Sequence, residues 1–238
     1  MKTLTLRIGI WLLGMSGILL ACTSQSAKNK DIPYASIIEV IETNDTILSG
    51  ELMAVCARCD IPVTSVYRWK NHLIVYDVMS DSEIEGIRKQ LSAVSPNSII
   101  KIYETPFYVF DRNCCESKTE AVKWKHTIMT ANLVQDSVMQ QEYMDYHATQ
   151  FEKWPEVAYG FCKADFQQLL VFRNGRQLML VISIPEGKSL DELDPKTTEN
   201  NPRVNEWNTI MANYQEGIEG SAPDEKWVLF NPVMNNKE

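Results

Sequence analysis

The stretch Gln167–Ile184, QQLLVFRNGRQLMLVISI, decides how the chain is organised. Two apolar runs, Gln167 to Phe172 and Leu178 to Ile184, flank the turn Arg173-Asn174-Gly175-Arg176 and predict a β-hairpin. An earlier hairpin follows the same plan: Val63 to Arg68 and Leu73 to Met79 flank Trp69-Lys70-Asn71-His72. Tyr67-Arg68 with Leu73 six positions on matches Phe172-Arg173 with Leu178 six positions on. Phe107-Tyr108-Val109-Phe110-Asp111 similarly matches Trp227-Val228-Leu229-Phe230-Asn231. The chain reads as a duplication.

Working outward, Ser36 to Ile41 alternates as a strand, and Leu48, Leu52, Val55 and Cys59 recur at helical spacing until Pro62. Asp81 or Ser82 is expected to cap a second helix that runs to Val94 and stops at Pro96-Asn97. Strands follow at 98–103 and 107–110. The order is βαββαβ with an extra closing strand, the split-βαβ or ferredoxin-like arrangement. After the polar linker Asn113 to Glu120 the order returns: strand 126–134, helix from Ser137 to about Lys153, the hairpin, helix 204–215 and strand 227–233. Ser137-Val138-Met139-Gln140 fits a capping box. The first helical region of the second copy is longer, since Thr127 to Phe172 spans 45 positions against 31 from Ser36 to Tyr67. Phe172 to Trp227 spans 55 against 40, with the excess in the acidic loop Pro185 to Asn201, so the second copy has the extra material to build a site.

Length and composition agree with this plan. The 238 residues suit one large or two small domains, and 45% hydrophobic with 23% charged residues excludes a disordered chain, coiled coil or collagen-like fibre. The net charge of −8 comes without a basic stripe, which argues against a nucleic-acid partner.

Residues 1–21 carry Lys2 and Arg7 and then an apolar stretch, the layout of a signal peptide. It ends Leu19-Leu20-Ala21-Cys22, which resembles a bacterial lipobox, so Cys22 is expected to be acylated and to begin a mature chain of net charge −10. Residues 22–32 would be a tether, 33–112 the first domain, 113–122 a linker and 123–238 the second. The expected location is the periplasmic side of a bacterial membrane, the outer membrane foremost. Outside the cytosol, Cys56, Cys59, Cys114, Cys115 and Cys162 read as disulfides or buried thiols, with metal or redox roles as alternatives for the Cys56-Ala57-Arg58-Cys59 spacing. Their odd number leaves one thiol over, for which Cys162 is the candidate.

Of three histidines, His72 falls in a hairpin turn and His126 at a strand start, both expected at the surface. His147 differs: Met139, Tyr143, His147 and Gln150 or Phe151 recur at three- and four-residue spacing, so Tyr143 and His147 share a face toward the sheet. Periodicity alone suits core residues as well as catalysts.

The surroundings add to this. Glu142-Tyr143-x-x-x-His147 followed by Trp154-Pro155-Glu156-Val157 resembles the rhamnose mutarotase family. Further resemblance lies at Phe172-Arg173-Asn174-Gly175-Arg176-x-Leu178, at Asn201-Pro202-Arg203-Val204-Asn205-Glu206-Trp207 and at Glu225-Lys226-Trp227-Val228-Leu229, in the family's order over about residues 123–234. The resemblance implies an α+β ferredoxin-like unit that pairs through its sheet, in the dimeric α/β-barrel manner. It implies His147 as general acid/base, Tyr143 as its partner and Trp207 as a sugar-contacting wall. Trp154, Phe172 and Arg173 join them as candidate substrate contacts, and Asp145 and Glu156 as hydroxyl partners. Departures are Asn208, where some members have a second Trp, and Gln167 or Gln168 in place of a site aromatic.

The chemistry is consistent. Opening a pyranose hemiacetal takes a proton from the anomeric hydroxyl and delivers one to the ring oxygen, and imidazole, titrating near 6.5, offers both states. Tyrosine, near 10, serves better as a donor. The reaction needs no cofactor, and His147 has no second ligand at zinc spacing on its helix. Because the first copy lacks counterparts of Tyr143, His147 and Trp207, the expectation is tandem domains packed as an intramolecular pseudo-dimer, monomeric as a chain, acting on a monosaccharide such as L-rhamnose. The alternatives are a sugar-binding or scaffold lipoprotein without turnover, and another enzyme of the same barrel type, such as a small monooxygenase.

Overall fold

The computed structural model describes residues 34–42 and 49–233, so the signal segment, Cys22 and the tether lie outside the described residues. The first half of the chain forms β1 (Ser36–Ile41), α1 (Ser49–Arg58), β2 (Val66–Trp69), β3 (His72–Asp77), α2 (Asp81–Val94), β4 (Ile99–Tyr103) and β5 (Tyr108–Asp111). The second forms β6 (Trp124–Leu133), α3 (Ser137–Ala148), α4 (Gln150–Lys153), α5 (Pro155–Lys163), β7 (Gln168–Asn174) and β8 (Gln177–Pro185). It continues through α6 (Leu190–Leu193), α7 (Pro195–Thr198), α8 (Pro202–Ala212), β9 (Gln215–Glu216) and β10 (Val228–Pro232).

Local chemistry moved several boundaries. Residues 63–65 make a 3₁₀ turn after Pro62 rather than the start of a strand, and Ser65 Oγ donates to Asp77 across 2.8 Å. Helix α2 is capped by Ser80, one residue before the expected caps, in a reciprocal box with Glu83. Helix α3 is capped by Asp136, whose carboxylate accepts from the Val138 and Met139 N–H groups, so the expected box on Ser137 is not made. The single helix expected to reach Lys153 breaks at Thr149, whose hydroxyl bonds back to the Asp145 carbonyl at 2.9 Å. The long acidic loop holds two single turns, α6 and α7, started by Ser189 and Pro195.

All pairings are antiparallel and the path runs β4-β1-β3-β2-β10-β6-β8-β7-β5, with β9 beside β6. The sheet is curled: Asn174 in β7 donates to the Ile102 carbonyl in β4 at 3.0 Å, although the two strands are far apart along that path. Strand alternation then sorts side chains to two faces. Ile37, Tyr67, Ile74, Tyr76 and Tyr103 of the first half meet Ile128, Leu170, Phe172, Met179, Val181 and Phe230 of the second in one interior cluster. The outer faces are covered separately, by α1 and α2 over Ile38, Val40, Leu73 and Val75, and by α3, α5 and α8 over Leu133, Leu169, Val171 and Leu178. The closing strands cross over. Strand β5 pairs with β7, Tyr108 opposite Val171, and β10 lies between β6 and β2.

Three expectations about single residues are corrected here. His72 is 8% exposed, because it opens β3 facing the interior and donates from Nδ1 to Glu39 at 2.7 Å. His126 is half-buried, edge-on to Tyr76 with centroids 5.1 Å apart and bonded to Ser183 Oγ at 2.9 Å; burial pushes its pKa down. Cys162 is not the residue left over. The inserted helix α5 carries it against the turn that follows β5, and it is bridged to Cys115 with Cα atoms 5.6 Å apart. A loop of 47 positions closed this way is worth about 4 kcal/mol in chain-entropy terms.

Candidate active site

Tyr143 and His147 sit one turn apart on the face of α3 that meets the sheet, 2% and 9% exposed. His147 Nδ1 lies 2.9 Å from the Tyr143 carbonyl oxygen. A carbonyl only accepts, so Nδ1 carries the proton, and Nε2, with no protein partner among the described residues, presents its lone pair. Around the imidazole stand Tyr143 at 4.3 Å, Trp207 and Tyr108 at 5.2 Å and Phe107 at 5.7 Å between ring centroids. Burial among these rings lowers its pKa to about 4 against the weaker, opposite effect of the carbonyl bond. At neutral pH it therefore rests as neutral imidazole, poised as a base, and does not share both states as an ordinary histidine would.

Tyr143 is pushed the other way: burial raises its pKa well above 10, so the phenol stays protonated. Trp227 Nε1 donates to Gln215 Oε1 at 3.0 Å, and because an indole can only donate, the amide is fixed with Nε2 toward Tyr143, donating to Oη at 3.4 Å. The phenolic oxygen thus accepts from within the protein, and its own proton is left to be given elsewhere. Beyond it Tyr214 donates to Glu142 at 3.1 Å, burial and that carboxylate pushing its pKa up to about 12.

The spacing of Val204, Trp207 and Met211 turns one side of α8 inward and brings Trp207, 6% exposed, to the histidine. Trp154 stands 5.7 Å from Trp207, and Tyr146 is 6.4 Å from the first and 6.0 Å from the second. One face of Trp154 is taken, since the Arg203 guanidinium lies 3.7 Å from its ring centroid. Gln150, fully buried after the break in the helix, accepts from Tyr108 Oη at 2.7 Å and donates to the Trp154 carbonyl at 2.6 Å.

His147, Tyr143, Trp207 and Trp154 are therefore brought together, and Phe172 is not. It is fully buried on the opposite face of β7, in the shared interior, because Val171 and Arg173 take the helix-covered face. Arg173 reaches the near end of α3, donating to Gln140 Oε1 at 2.7 Å, three residues before Tyr143. Asp145 is exposed and accepts from Gln141, and Asn208 is exposed. Glu156 lies 3.9 Å from Arg203. Gln167 turns to the linker, accepting from the Ala121 N–H at 2.7 Å. Sequence reasoning placed Gln150 on the same stripe but missed Phe107, Tyr108, Tyr146, Gln215 and Trp227 as neighbours of the pair. The i+3 position of Tyr146 was a usable signal; Phe107 and Tyr108 depend on the β5–β7 pairing, which no local pattern reveals. Among the described residues the metal-type donors that cluster are Cys114, Cys115 and Cys162, none of them part of this group.

The neutral imidazole, edge-on to Trp207, and the protonated phenol beside it form a pair that can accept one proton and give another. Sequence comparisons add to this. A family model described as L-rhamnose mutarotase matches residues 109–235, beginning inside β5. L-fucose mutarotase of Xanthomonas campestris pv. campestris is 30% identical over 100 residues, 40% of this chain and 75% of its own. A UPF0734 protein of Dictyostelium discoideum is 26% identical over 119 residues, 48% of this chain and 89% of its own. The chain belongs to the L-rhamnose mutarotase family.

Proposed function

We propose that this protein interconverts the anomers of a 6-deoxy hexose such as L-rhamnose, as a lipid-anchored enzyme on the periplasmic side of a bacterial membrane. The observation that carries the reaction is the commitment of His147 Nδ1–H to the Tyr143 carbonyl, which leaves Nε2 as the base. Nε2 takes the anomeric hydroxyl proton while the bond between C1 and the ring oxygen breaks, and the ring oxygen takes the Tyr143 phenolic proton. The open aldehyde turns about C1–C2, the former ring oxygen adds to its other face, and the imidazolium and phenolate recover their original states. Each positioned transfer contributes roughly 10² to 10⁴ in rate. The family's proton-donating histidine corresponds in this scheme to the imidazolium of the closing step. Trp207 and Trp154 would take the C–H face of the sugar.

The anchor rests on the lipobox-like Leu19-Leu20-Ala21-Cys22. The reading of the two halves as tandem ferredoxin-like units packed as a pseudo-dimer is supported by the strand order. Each half runs closing strand, first, third, second, as β4-β1-β3-β2 and β10-β6-β8-β7, and β5 and β10 each join the other half. On this reading the domain limits would be 33–112 and 123–238, with β5 exchanged. The low exposure of Tyr143 and the guanidinium on Trp154 favour a second reading, a sugar-binding protein without turnover. Magnetisation-transfer NMR over a panel including L-rhamnose, L-fucose and non-deoxy hexoses decides: accelerated anomeric exchange for a 6-deoxy sugar supports the enzyme, and binding with exchange at the buffer rate supports the module.

A further inference from the structure

Cys114, Cys115 and Cys162 have all three sulfur atoms within 4.8 Å of one another, although a covalent staple between α5 and the turn after β5 requires only two. We propose that the three form a thiol–disulfide exchange site, in which the bond to Cys162 is carried in turn by Cys115 and by Cys114. Cys114 and Cys115 are consecutive at the end of the 3₁₀ turn Arg112–Cys114, which is closed by the Cys115 N–H donating to the Arg112 carbonyl at 3.0 Å. They offer Cys162 two sulfurs from one rigid platform. Cys114 retains its thiol, and its S–H is directed to the Asp111 carbonyl at 3.3 Å. Arg112 on the same turn is 5% exposed. It donates to Asp165, the Phe166 carbonyl and the Ser117 carbonyl, while its Nε has no partner among the described residues.

The step conserves atoms and electrons. Cys114 loses its proton, its thiolate attacks Cys162 Sγ, the Cys115–Cys162 bond breaks, and Cys115 leaves as a thiolate that takes a proton back. Nothing is oxidised or reduced overall. The thiol moves from half-buried Cys114 to buried Cys115, so the protein alternates between a form that presents a sulfur near the surface and one that withdraws it. In the first form the Cys114 thiolate can attack an external disulfide, such as that of a small oxidised thiol, taking one of its sulfurs and releasing the other as a thiolate, and an external thiol is needed to reverse the step.

The test is disulfide mapping of the full chain under non-reducing conditions after alkylation. In Cys115→Ser the expected product is a Cys114–Cys162 cross-linked peptide, with both residues missing their alkyl groups. In Cys114→Ser the bridge stays at Cys115. A Cys115→Ser chain that unfolds cooperatively but alkylates fully at both Cys114 and Cys162 overturns the proposal. Should that variant not fold, the wild type answers. After equilibration under mildly alkaline conditions and acid quench, fragmentation between the adjacent cysteines must reveal both linkages, and a Cys115 linkage alone overturns the proposal.

Discussion

Gln177 Nε2 donates to Glu39 Oε1 across 3.0 Å, joining the second half of the chain to a fully buried carboxylate of the first. The registers show why these two meet. Glu39 is opposite Ile74 and Thr130 is opposite Met179, and Ile74 and Met179 each lie seven positions beyond the matching Tyr67 and Phe172. Glu39 with His72 therefore holds in one half the place that Thr130 with Gln177 holds in the other. All four point into the shared interior. The carboxylate accepts also from His72 and from Tyr103 Oη at 2.9 Å, and Gln177 donates in addition to Thr130 at 3.0 Å while accepting from Lys101.

Removing one member of such a group strands the others. Glu39→Ala should cost about 3 to 5 kcal/mol, because three buried donors lose their acceptor at once. Glu39→Gln keeps one acceptor and should cost visibly less. Urea unfolding midpoints of the three proteins check this order, and an Ala variant as stable as the Gln variant contradicts it.

His147 makes stability depend on pH in a defined direction. Its pKa is lowered from 6.5 to about 4, so between those values the unfolded chain binds the proton and the folded chain does not. The stability it contributes is complete above about 6.5 and falls as the pH drops toward about 4, by roughly 3 kcal/mol in total. Replacing His147 by Gln should flatten this part of the stability profile, which urea titrations at several pH values will show. The acid limb of anomer exchange should likewise fall nearer 4 than 6.5.

In the proposed mechanism Gln215 would be a positioning residue, since it holds Tyr143 Oη and Trp227 Nε1. In Gln215→Glu a carboxylate accepts from both Trp227 and Tyr143, so the phenolic proton turns away from the site. The expected result is a fall in kcat of about ten- to a hundredfold with KM little changed, the pattern of an interaction made in the transition state. Equal loss in KM alone would assign Gln215 to substrate binding.

Phe172 separates the fold from the site. Truncation to Ala should destabilise the protein by about 3 to 5 kcal/mol by opening a cavity in the interior shared by both halves. Substrate affinity of the folded variant should be unchanged, since Phe172 faces away from His147. A rise in KM measured well below the unfolding temperature argues that β7 communicates with the site.

The hairpins and the helix carrying Tyr143 and His147 were legible because each rests on a local period or turn. Trp207 and Trp154 were legible through neighbouring motif residues. The errors have a common origin in long-range pairing. Phe172 was assigned to the site because its segment matched, yet its side is set by β7 register. His72 was assigned to solvent because turns are exposed, yet a carboxylate 33 residues earlier draws it inside. The resting charge of His147 was beyond local reading too, since it depends on rings from β5 and α8.

The central claim is that one buried imidazole moves the proton that opens the sugar. It is tested most directly by magnetisation-transfer NMR between the anomers of L-rhamnose, comparing wild type with His147→Ala and Tyr143→Phe at equal folded concentration. The account predicts catalysed exchange in the wild type, loss to the buffer rate in His147→Ala, and a reduction of roughly 10² or more in Tyr143→Phe. Exchange in His147→Ala as fast as in the wild type would contradict it.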